Sequence, residues 1–255
     1  DTQAIAVAVS RPMPGTDSSN IFTDTLELAV KKFQRSLGYK ETGLINANLV
    51  KDMNVPVVKR LEQILLNMDR MRWLPQQPQG NLIIVNIPEF MLHVYDGDKT
   101  LFDMVVVVGK VGNNTMMFNG DLNQVIFSPY WNVPASIIKS EILPAIARNP
   151  NYLDRKNMER NGSGIRQRPG PGNALGKVKF IFPNSFNMYF HDTPSKGLFN
   201  EDKRAFSHGC IRLSQPQKMP KWLLRNDPAW TTEKTVAAMN RTSEHAVKRK
   251  NPVPV

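Results

Sequence analysis

Cysteine is nearly absent from this chain of 255 residues, in which Cys210 is the only one. A single thiol excludes a disulfide within the chain, and it fits an exported protein that keeps one reactive thiol and avoids mispairing. Long hydrophobic runs are absent as well. The apolar runs at 82–87 and 104–108 are strand-sized, far below the roughly 18 to 20 residues that a membrane span needs. The sequence therefore predicts no membrane span.

Acidic residues are outnumbered, with 22 Asp and Glu against 33 Lys and Arg, which leaves a net charge of +11. Such a balance predicts attraction to a polyanion, and nucleic acid is the first candidate. The basic residues are scattered, however, and the sequence contains no nucleic-acid motif and no basic helix interleaved with aromatics. An acidic cell-wall polymer fits a spread charge equally well. We expect no nucleic-acid partner.

Helical patterns occupy the first part of the chain. Residues 1–20 are polar and small and predict irregular structure, whereas apolar spacing predicts helices from about Thr23 to Gly38, over 46–53 and over 57–73. The proline- and glutamine-rich stretch 75–80 predicts a hinge-like linker. No charged-then-apolar leader precedes Asp1, so we expect a cytosolic protein or a mature exported product.

Residues 29–45 carry a recognisable pattern, Ala-Val-Lys-Lys-Phe-Gln-Arg followed by Gly38, Thr42-Gly43 and Ile45. The pattern resembles the back half of a helical peptidoglycan-binding module. A small helical bundle that only packs on its neighbour accounts for the same residues equally well.

After Asn81 the hydrophobic period changes from helical to alternating. Strands are predicted at 82–87, 91–95, 101–108, 124–127, 177–182 and 186–191. Two prolines and two aromatics exclude a central strand at 129–134 and predict a rigid surface wall. A helix kinked at Pro144 is predicted over 136–147 and a loop over 149–173, an insertion typical of a lid or a decoration. Two short helices are predicted at 219–224 and 231–239, and no folded structure is predicted at the terminus, 251–255.

The chemistry concentrates in the stretch Phe-Ser-His-Gly-Cys-Ile-Arg-Leu at 206–213. A thiol is a useful nucleophile only as thiolate, and a nearby imidazole is the usual means of generating it, so a Cys210 pKa below the ordinary thiol value is predicted. Gly209 lets the backbone approach a substrate and leaves the amides of Gly209 and Cys210 free to face an oxyanion. The alternative for a lone cysteine is a small buried hydrophobe, but its neighbours Ser207, His208 and Gly209 are not core residues.

Two histidines are candidates for the base. His191 closes an apolar strand, where a hydrogen-bonded structural role is the alternative to a catalytic one. In an extended segment His208 and Cys210 point to one face, side by side, so His208 is interpreted as lining the site. Arg212 either pairs with an acidic neighbour or holds a substrate carboxylate with its planar guanidinium.

A zinc site is the competing chemistry, with Cys210, His208, His191 and His93 as potential ligands. The spacing of a paired C-x-x-C or H-x-x-x-H is missing, which disfavours this hypothesis. Arg166 and Arg168 in the insertion are interpreted as solvated, with contact to an anionic ligand as the alternative.

The motif Ser207-His208-Gly209-Cys210, with His191 upstream and Arg212 two residues on, resembles that of the L,D-transpeptidase family of cell-wall enzymes. Further stretches resemble the larger Gram-negative branch of that family, which carries a peptidoglycan-binding-like helical part and a capping insertion. These stretches are 67–73, 129–134, 166–176, 191–194 and 204–206.

The resemblance implies a two-step acyl transfer on peptidoglycan stem peptides without cofactor or metal, and acylation of the cysteine by carbapenems. It implies that His191 is the general base, oriented by a backbone carbonyl such as that of Asp192. The implied catalytic residues are Cys210, His191, Gly209 and His208, and the implied substrate-binding residues are Arg212, Ser207, Asp192, Tyr130 and Trp131.

We therefore predict an α+β, mostly β, sandwich-like catalytic domain at 78–255 with a cap at about 135–175, preceded by a helical wall-binding-like part at 1–55 and a connecting helix and linker at 56–77. The expected location is the periplasm or cell envelope. Within the same chemistry, water could replace the acceptor amine, giving an L,D-carboxypeptidase, or the reaction could run on a crosslink as an endopeptidase. From another class, the chain could be a non-catalytic peptidoglycan-binding protein.

Overall fold

The computed structural model describes residues 21–72, 80–110, 112 and 115–255. Its contacts divide the chain into two units, one ending at Asn67 and the other comprising Met68–Val255. The irregular structure predicted for residues 1–20 and the linker predicted at 75–80, apart from its last residue, lie outside the described residues. The predicted domain limits stay a prediction.

The first unit is helical, and the three predicted helices are confirmed. They are α1 (Asp24–Ser36), α2 (Ala47–Met53) and α3 (Val57–Met71), the last of which extends beyond the unit. Side chains cap the first two helices: Thr23 Oγ1 accepts a hydrogen bond from the Leu26 amide and Asn46 Oδ1 from the Leu49 amide. None of the helices in the described residues has the length and apolar character needed to cross a membrane.

The second unit is built on a mixed sheet of nine strands, with a smaller sheet of three beside it. The path through the large sheet is β1-β2-β3-β11-β9-β8-β4-β12, and β10 also pairs with β3. The strands are β1 (Asn81–Asn86), β2 (Met91–Asp96), β3 (Lys99–Gly109), β4 (Asp121–Phe127), β8 (Val178–Ile181), β9 (Tyr189–His191), β10 (Ala205–Ser207), β11 (Ile211–Leu213) and β12 (His245–Pro254).

One continuous hydrophobic core lies against the large sheet. Alternate residues of each strand enter it, among them Phe180 on β8, Phe190 on β9 and Leu213 on β11, all fully buried. Helices α7 (Lys218–Leu223) and α8 (Thr232–Ala238) follow β11, and Met219, Leu223 and Ala238 from them join the same core. The predicted fold class, α+β and mostly β, is confirmed.

The cap predicted at about 135–175 is a folded substructure. The prediction of a loop over 149–173 is therefore wrong. Its helical part consists of α4 (Ala135–Ile137), a π-helical turn (Ile138–Ile142), α5 (Leu143–Arg148) and α6 (Tyr152–Arg155). Its strands are β5 (Trp131–Asn132), β6 (Met158–Asn161) and β7 (Gly164–Gln167), in the order β5-β7-β6. A small core of Val133, Ile142, Met158 and Ile165 holds the helices against this sheet.

The hairpin between β6 and β7 explains the error. Each strand has four residues, and only Met158 and Ile165 are apolar and buried, too few to produce a visible alternating pattern. Arg166 and Arg168 are not simply solvated, because their Nε atoms each donate to the Glu159 carboxylate at 2.6 Å. These charge-assisted hydrogen bonds cross the hairpin and replace hydrophobic contacts in specifying its pairing.

The terminus is also folded, contrary to the sequence-based expectation. Residues His245 to Lys248 of β12 pair with β4, and the pairing resumes at Val253 after a register shift. Pro252 lies within the shifted segment and Pro254 beyond it on an end strand of the path, where a missing backbone N–H is tolerated. The amide and carbonyl of Val255 both pair with Gly120 at 2.8 and 3.0 Å.

Candidate active site

The candidate site lies on the face of the large sheet opposite the core. On β8, β9 and β11 the register places Lys179, His191 and Arg212 side by side, because Lys179 pairs with His191 and His191 with Arg212. Residues directly opposite in register share a face, and so do residues two apart along one strand. Tyr189 therefore lies on the same face as His191, next to the point where Cys210 enters β11.

Cys210 stands at the end of a tight turn rather than in an extended segment. Gly209 has φ of +112°, a conformation that L side chains rarely adopt, so glycine is required there. Ser207 is 2% exposed, and its Oγ donates to the Cys210 carbonyl at 2.5 Å and accepts from the Gly209 amide at 3.1 Å. The turn is thus clamped by the serine of the motif.

Two sequence-based expectations change with this turn. The Gly209 amide is not free, since it already donates to Ser207, so it does not face an oxyanion in this conformation. His208 and Cys210 are not on one face of an extended segment, because the backbone bends between them. Ser207 uses its hydroxyl within the turn, and we assign it to holding Cys210 in place rather than to contacting a ligand.

The sulfur of Cys210 is half-buried beside strand β9. It lies 3.9 Å from the carbonyl oxygen of Asn187, to which the thiol donates. Burial raises the pKa of the Cys210 thiol, and the hydrogen bonds from Tyr189 and the positive charges of Lys179 and Arg212 oppose this. The resting group is therefore a neutral thiol, and the predicted lowering of its pKa is wrong.

His191 is buried and held in one orientation. Its Nδ1 lies 2.5 Å from the carbonyl oxygen of Asp192, the contact expected from the sequence. A carbonyl only accepts, so Nδ1 carries the hydrogen and Nε2 keeps its lone pair. Burial lowers the His191 pKa to about 3 against the opposing effect of the Asp192 carbonyl, and the charges of Arg212 and Lys179 lower it further. The imidazole is neutral at physiological pH.

Asp192 is pinned by internal contacts. Its carboxylate accepts from the amides of Lys177 and Thr193 at 2.9 and 2.7 Å and from Lys196 Nζ at 2.5 Å. The side chain is 8% exposed. The geometry assigns Asp192 to fixing the segment that orients His191, and its predicted contact with substrate stays a prediction.

Arg212 presents an uncompensated guanidinium to the same face. It is half-buried, its Nε has no hydrogen-bond partner, and no carboxylate of the described residues forms an ion pair with it. A buried cation without a partner is costly unless a ligand supplies one. Of the two sequence-based interpretations of Arg212, a structural ion pair is thus not observed.

The remaining predicted residues, His208, Tyr130 and Trp131, contact or belong to the cap. Nε2 of His208 lies 3.9 Å from Oε1 of Glu141 in the π-helical turn, and both side chains are about half exposed. The Tyr130 ring lies 4.2 Å from the Arg166 guanidinium, and Trp131 packs against the small core of the cap. The structure therefore brings Cys210, His191 and Arg212 together on the sheet and places Tyr130 and Trp131 in the cap substructure.

Three residues near the sulfur were not identified as site residues from the sequence. Asn187 has a positive φ of 54° in the turn before β9, Tyr189 lies two residues before His191, and Lys179 comes from β8. The period of two in a strand would have placed Tyr189 on the face of His191 once that histidine was singled out. Lys179 carries no local signal except a charge inside an apolar strand.

His93, the fourth potential zinc ligand, is located on β2. Its ring nitrogens contact Asp103 at 2.7 Å and Glu89 at 3.1 Å. Within the described ranges no group of three or more His, Cys, Asp or Glu side chains is arranged to hold a metal.

An oriented neutral imidazole on β9, and a thiol in the turn that leads into the neighbouring β11, define an α+β protein with a candidate cysteine–histidine site. Residues 80–238 match the L,D-transpeptidase catalytic domain, YkuD. The chain is also 31% identical to a Haemophilus influenzae protein named "Putative L,D-transpeptidase", over 215 aligned residues that cover 75% of this chain. The match spans 43% of that relative's length. The chain thus belongs to the L,D-transpeptidase catalytic domain family.

Proposed function

We propose that the chain is a peptidoglycan L,D-transpeptidase in which Cys210 is the nucleophile and His191 the general base. The observation that carries the proposal is the orientation of His191. Its Nδ1 is engaged by the Asp192 carbonyl, so that Nε2 is the atom available to take a proton. Family membership supplies the reaction class, and the single cysteine of the chain supplies the only thiol.

In the first step the Cys210 sulfur attacks the carbonyl carbon that joins the third residue of a stem tetrapeptide to its terminal D-alanine. The thiol proton passes to His191 Nε2. The tetrahedral intermediate then collapses, the C–N bond breaks and the same proton is delivered to the departing amine of D-alanine. A thioester remains on Cys210. With the Gly209 amide engaged, the Cys210 N–H is the backbone donor of the motif that we assign to the oxyanion.

In the second step the side-chain amine of a diamino acid on a neighbouring stem attacks the thioester. His191 removes a proton from this amine as the new C–N bond forms, and the proton returns to the sulfur when the C–S bond breaks. Arg212 supports this assignment, since its unpaired guanidinium offers a planar double donor to a stem carboxylate.

Peptidoglycan as substrate implies a protein that acts in the periplasm or cell envelope, and the net charge of +11 fits an acidic wall polymer. A strained β-lactam carbonyl is an acyl donor of the same kind, so we infer that carbapenems acylate Cys210. The attack breaks the C–N bond of the lactam ring, and the freed nitrogen stays attached to the acyl group, so no amine is released.

The first experiment is intact mass measurement after mixing the protein with a carbapenem, with Cys210→Ala alongside. One adduct on the wild type and none on the variant is the expected result. Absence of an adduct on the wild type, or an adduct that persists in Cys210→Ala, overturns the assignment of the nucleophile.

Incubation with stem tetrapeptide then identifies the acceptor. Release of D-alanine with formation of a crosslinked dimer is expected. Release of D-alanine without any dimer identifies a carboxypeptidase instead. Binding to peptidoglycan without any release, equal in wild type and Cys210→Ala, identifies a non-catalytic binding protein.

A further inference from the structure

Lys179 is a cation inside an otherwise apolar strand. On β8 its neighbours Val178 and Phe180 are fully buried in the core, so Lys179 itself lies on the opposite face, the face of the candidate site. The register places it opposite His191, with Arg212 one strand further on. A long charged side chain at this position is exceptional, because strand interiors favour apolar residues and burial of an ammonium is costly.

The ammonium of Lys179 is held on the ring of Tyr189. Its Nζ lies 4.0 Å from the ring centroid, a cation–π geometry that fixes an otherwise flexible side chain. The register places Tyr189 on the strand beside Cys210, and the interaction of its hydroxyl with the sulfur lowers the Cys210 pKa. Tyr189 therefore connects the ammonium to the sulfur through one rigid ring, and none of the ion pairs identified among the described residues includes Lys179.

We propose that Lys179 is an electrostatic positioning residue for the thiolate, whose ammonium stabilises the negative charge on Cys210 after His191 has taken the thiol proton. The inference rests on the proposed function in one respect, the assignment of Cys210 as nucleophile. Lys179 keeps its own proton throughout, so that the only proton that moves is the one from sulfur to imidazole.

The charged groups near the site come from three neighbouring strands. Lys179 lies on β8, Tyr189 and His191 lie on β9, and Arg212 lies on β11, the strand that directly follows Cys210. Lys179 lowers the Cys210 pKa more than Arg212 does, whereas Arg212 lowers the His191 pKa more than Lys179 does. Of the two cations, Lys179 has the larger effect on the Cys210 pKa, and burial remains the main cause of the low His191 pKa.

Two further groups act on this arrangement from outside. Burial lowers the pKa of Lys179, and the negative charge of the Glu244 carboxylate, next to β12, opposes this. One oxygen of the same carboxylate accepts a hydrogen bond from the Tyr130 amide at 2.9 Å. The exposed His208 points toward Glu141 of the cap. Because the carboxylate of Asp192 is engaged by Lys177, Thr193 and Lys196, it adds no free negative acceptor for Lys179.

The test is the pH dependence of Cys210 alkylation by iodoacetamide, followed by intact mass. The adduct is unambiguous because the chain has one cysteine. Lys179→Met is expected to move the midpoint upward by about one pH unit, which lowers the alkylation rate at neutral pH roughly tenfold. Lys179→Arg keeps the charge and is expected to stay near the wild-type midpoint. Lys177→Met is the matched control, since it removes an exposed lysine that contacts Asn240 instead.

A Lys179→Met midpoint equal to that of the wild type, or a shift of the same size in Lys177→Met, overturns the proposal. Thermal unfolding of each variant identifies loss of fold, and Lys179→Gln, which keeps a polar head, replaces Lys179→Met if that variant does not fold. The assay needs no peptidoglycan. A wild type that shows the charge-dependent midpoint but no turnover of stem peptides therefore refutes the proposed function and leaves the role of Lys179 standing.

Discussion

His191 is oriented by the residue that follows it, through the contact of its Nδ1 with the carbonyl oxygen of Asp192 at 2.5 Å. The carboxylate of Asp192 is turned away and pinned by the amides of Lys177 and Thr193. One aspartate thus anchors the loop with its side chain and sets the imidazole tautomer with its backbone. Because the carboxylate of Asp192 does not contact the ring, it does not stabilise the imidazolium by a direct ion pair.

The first prediction concerns acid stability. Burial holds the folded-state pKa of His191 at about 3, below its unfolded value of about 6.5. The unfolded chain therefore binds a proton that the folded protein does not, and the free energy of unfolding falls as pH decreases through this range, by up to about 1.4 kcal/mol per pH unit. Urea unfolding of His191→Gln is expected to show a shallower loss between pH 7 and pH 5 than the wild type. Identical slopes, with the exposed His208→Gln as control, contradict the prediction.

The second prediction concerns the clamp of the turn. Ser207→Ala leaves the buried Gly209 amide and the Cys210 carbonyl without their side-chain partner, which costs about 1 to 3 kcal/mol. The rate at which iodoacetamide alkylates Cys210 should also change, since the sulfur loses its fixed position. Ser207→Thr retains the hydroxyl and is expected to recover most of both properties. Equal unfolding midpoints for the alanine variant and the wild type in urea would show that the clamp is dispensable.

The third prediction concerns the hydroxyl of Tyr189. Its hydrogen bond to the sulfur lowers the Cys210 pKa, so Tyr189→Phe removes one opposing effect while burial continues to raise that pKa. The midpoint of Cys210 alkylation should move to higher pH. Tyr95→Phe on β2 is a matched control far along the sheet path. A Tyr189→Phe profile that overlays both the control and the wild type counts against the hydrogen bond.

The fourth prediction concerns Gly176. Its φ is +62°, and a Cβ there would overlap the carboxylate of Asp192, which is held by other partners and cannot yield cheaply. Gly97 has a similar φ of +55° with nothing near. Gly97→Ala should cost only the backbone strain, about 1 to 2 kcal/mol, whereas Gly176→Ala should cost clearly more and slow Cys210 acylation, because Asp192 positions His191. Similar unfolding free energies for the two variants would refute the steric argument.

Strong periodic elements were predictable, and weakly apolar ones were not. Helices α1 to α3 and strands β1 to β4 were predictable because their apolar residues recur at the period of the helix or the strand. The β6–β7 hairpin was missed because its pairing depends on Glu159 and two arginines, although Gly162-Ser163 between the strands is a turn signal. Strand β12 was missed because its prolines indicate irregular structure except at the end of a sheet, a position that only the topology reveals.

The identity of the candidate nucleophile and base followed from the motif, but their electrostatics did not. A local reading of Ser-His-Gly-Cys predicts a lowered thiol pKa, whereas burial raises it, and burial is a property of the assembled sheet. Lys179 and Tyr189 lie 31 and 21 residues before Cys210 in sequence and reach it only through the β8–β9–β11 register.

The sequence by itself determined which residue types are present, where β1 to β4, β8, β9 and the first three helices lie, and which thiol the site contains, because these depend on local spacing and composition. Only the tertiary structure decided which side chains surround that thiol, which charges act on it and which amide is already engaged. The physical reason is that strand pairing brings distant residues onto one face, and the free energy of a charge there depends on burial and on neighbours that no local pattern specifies.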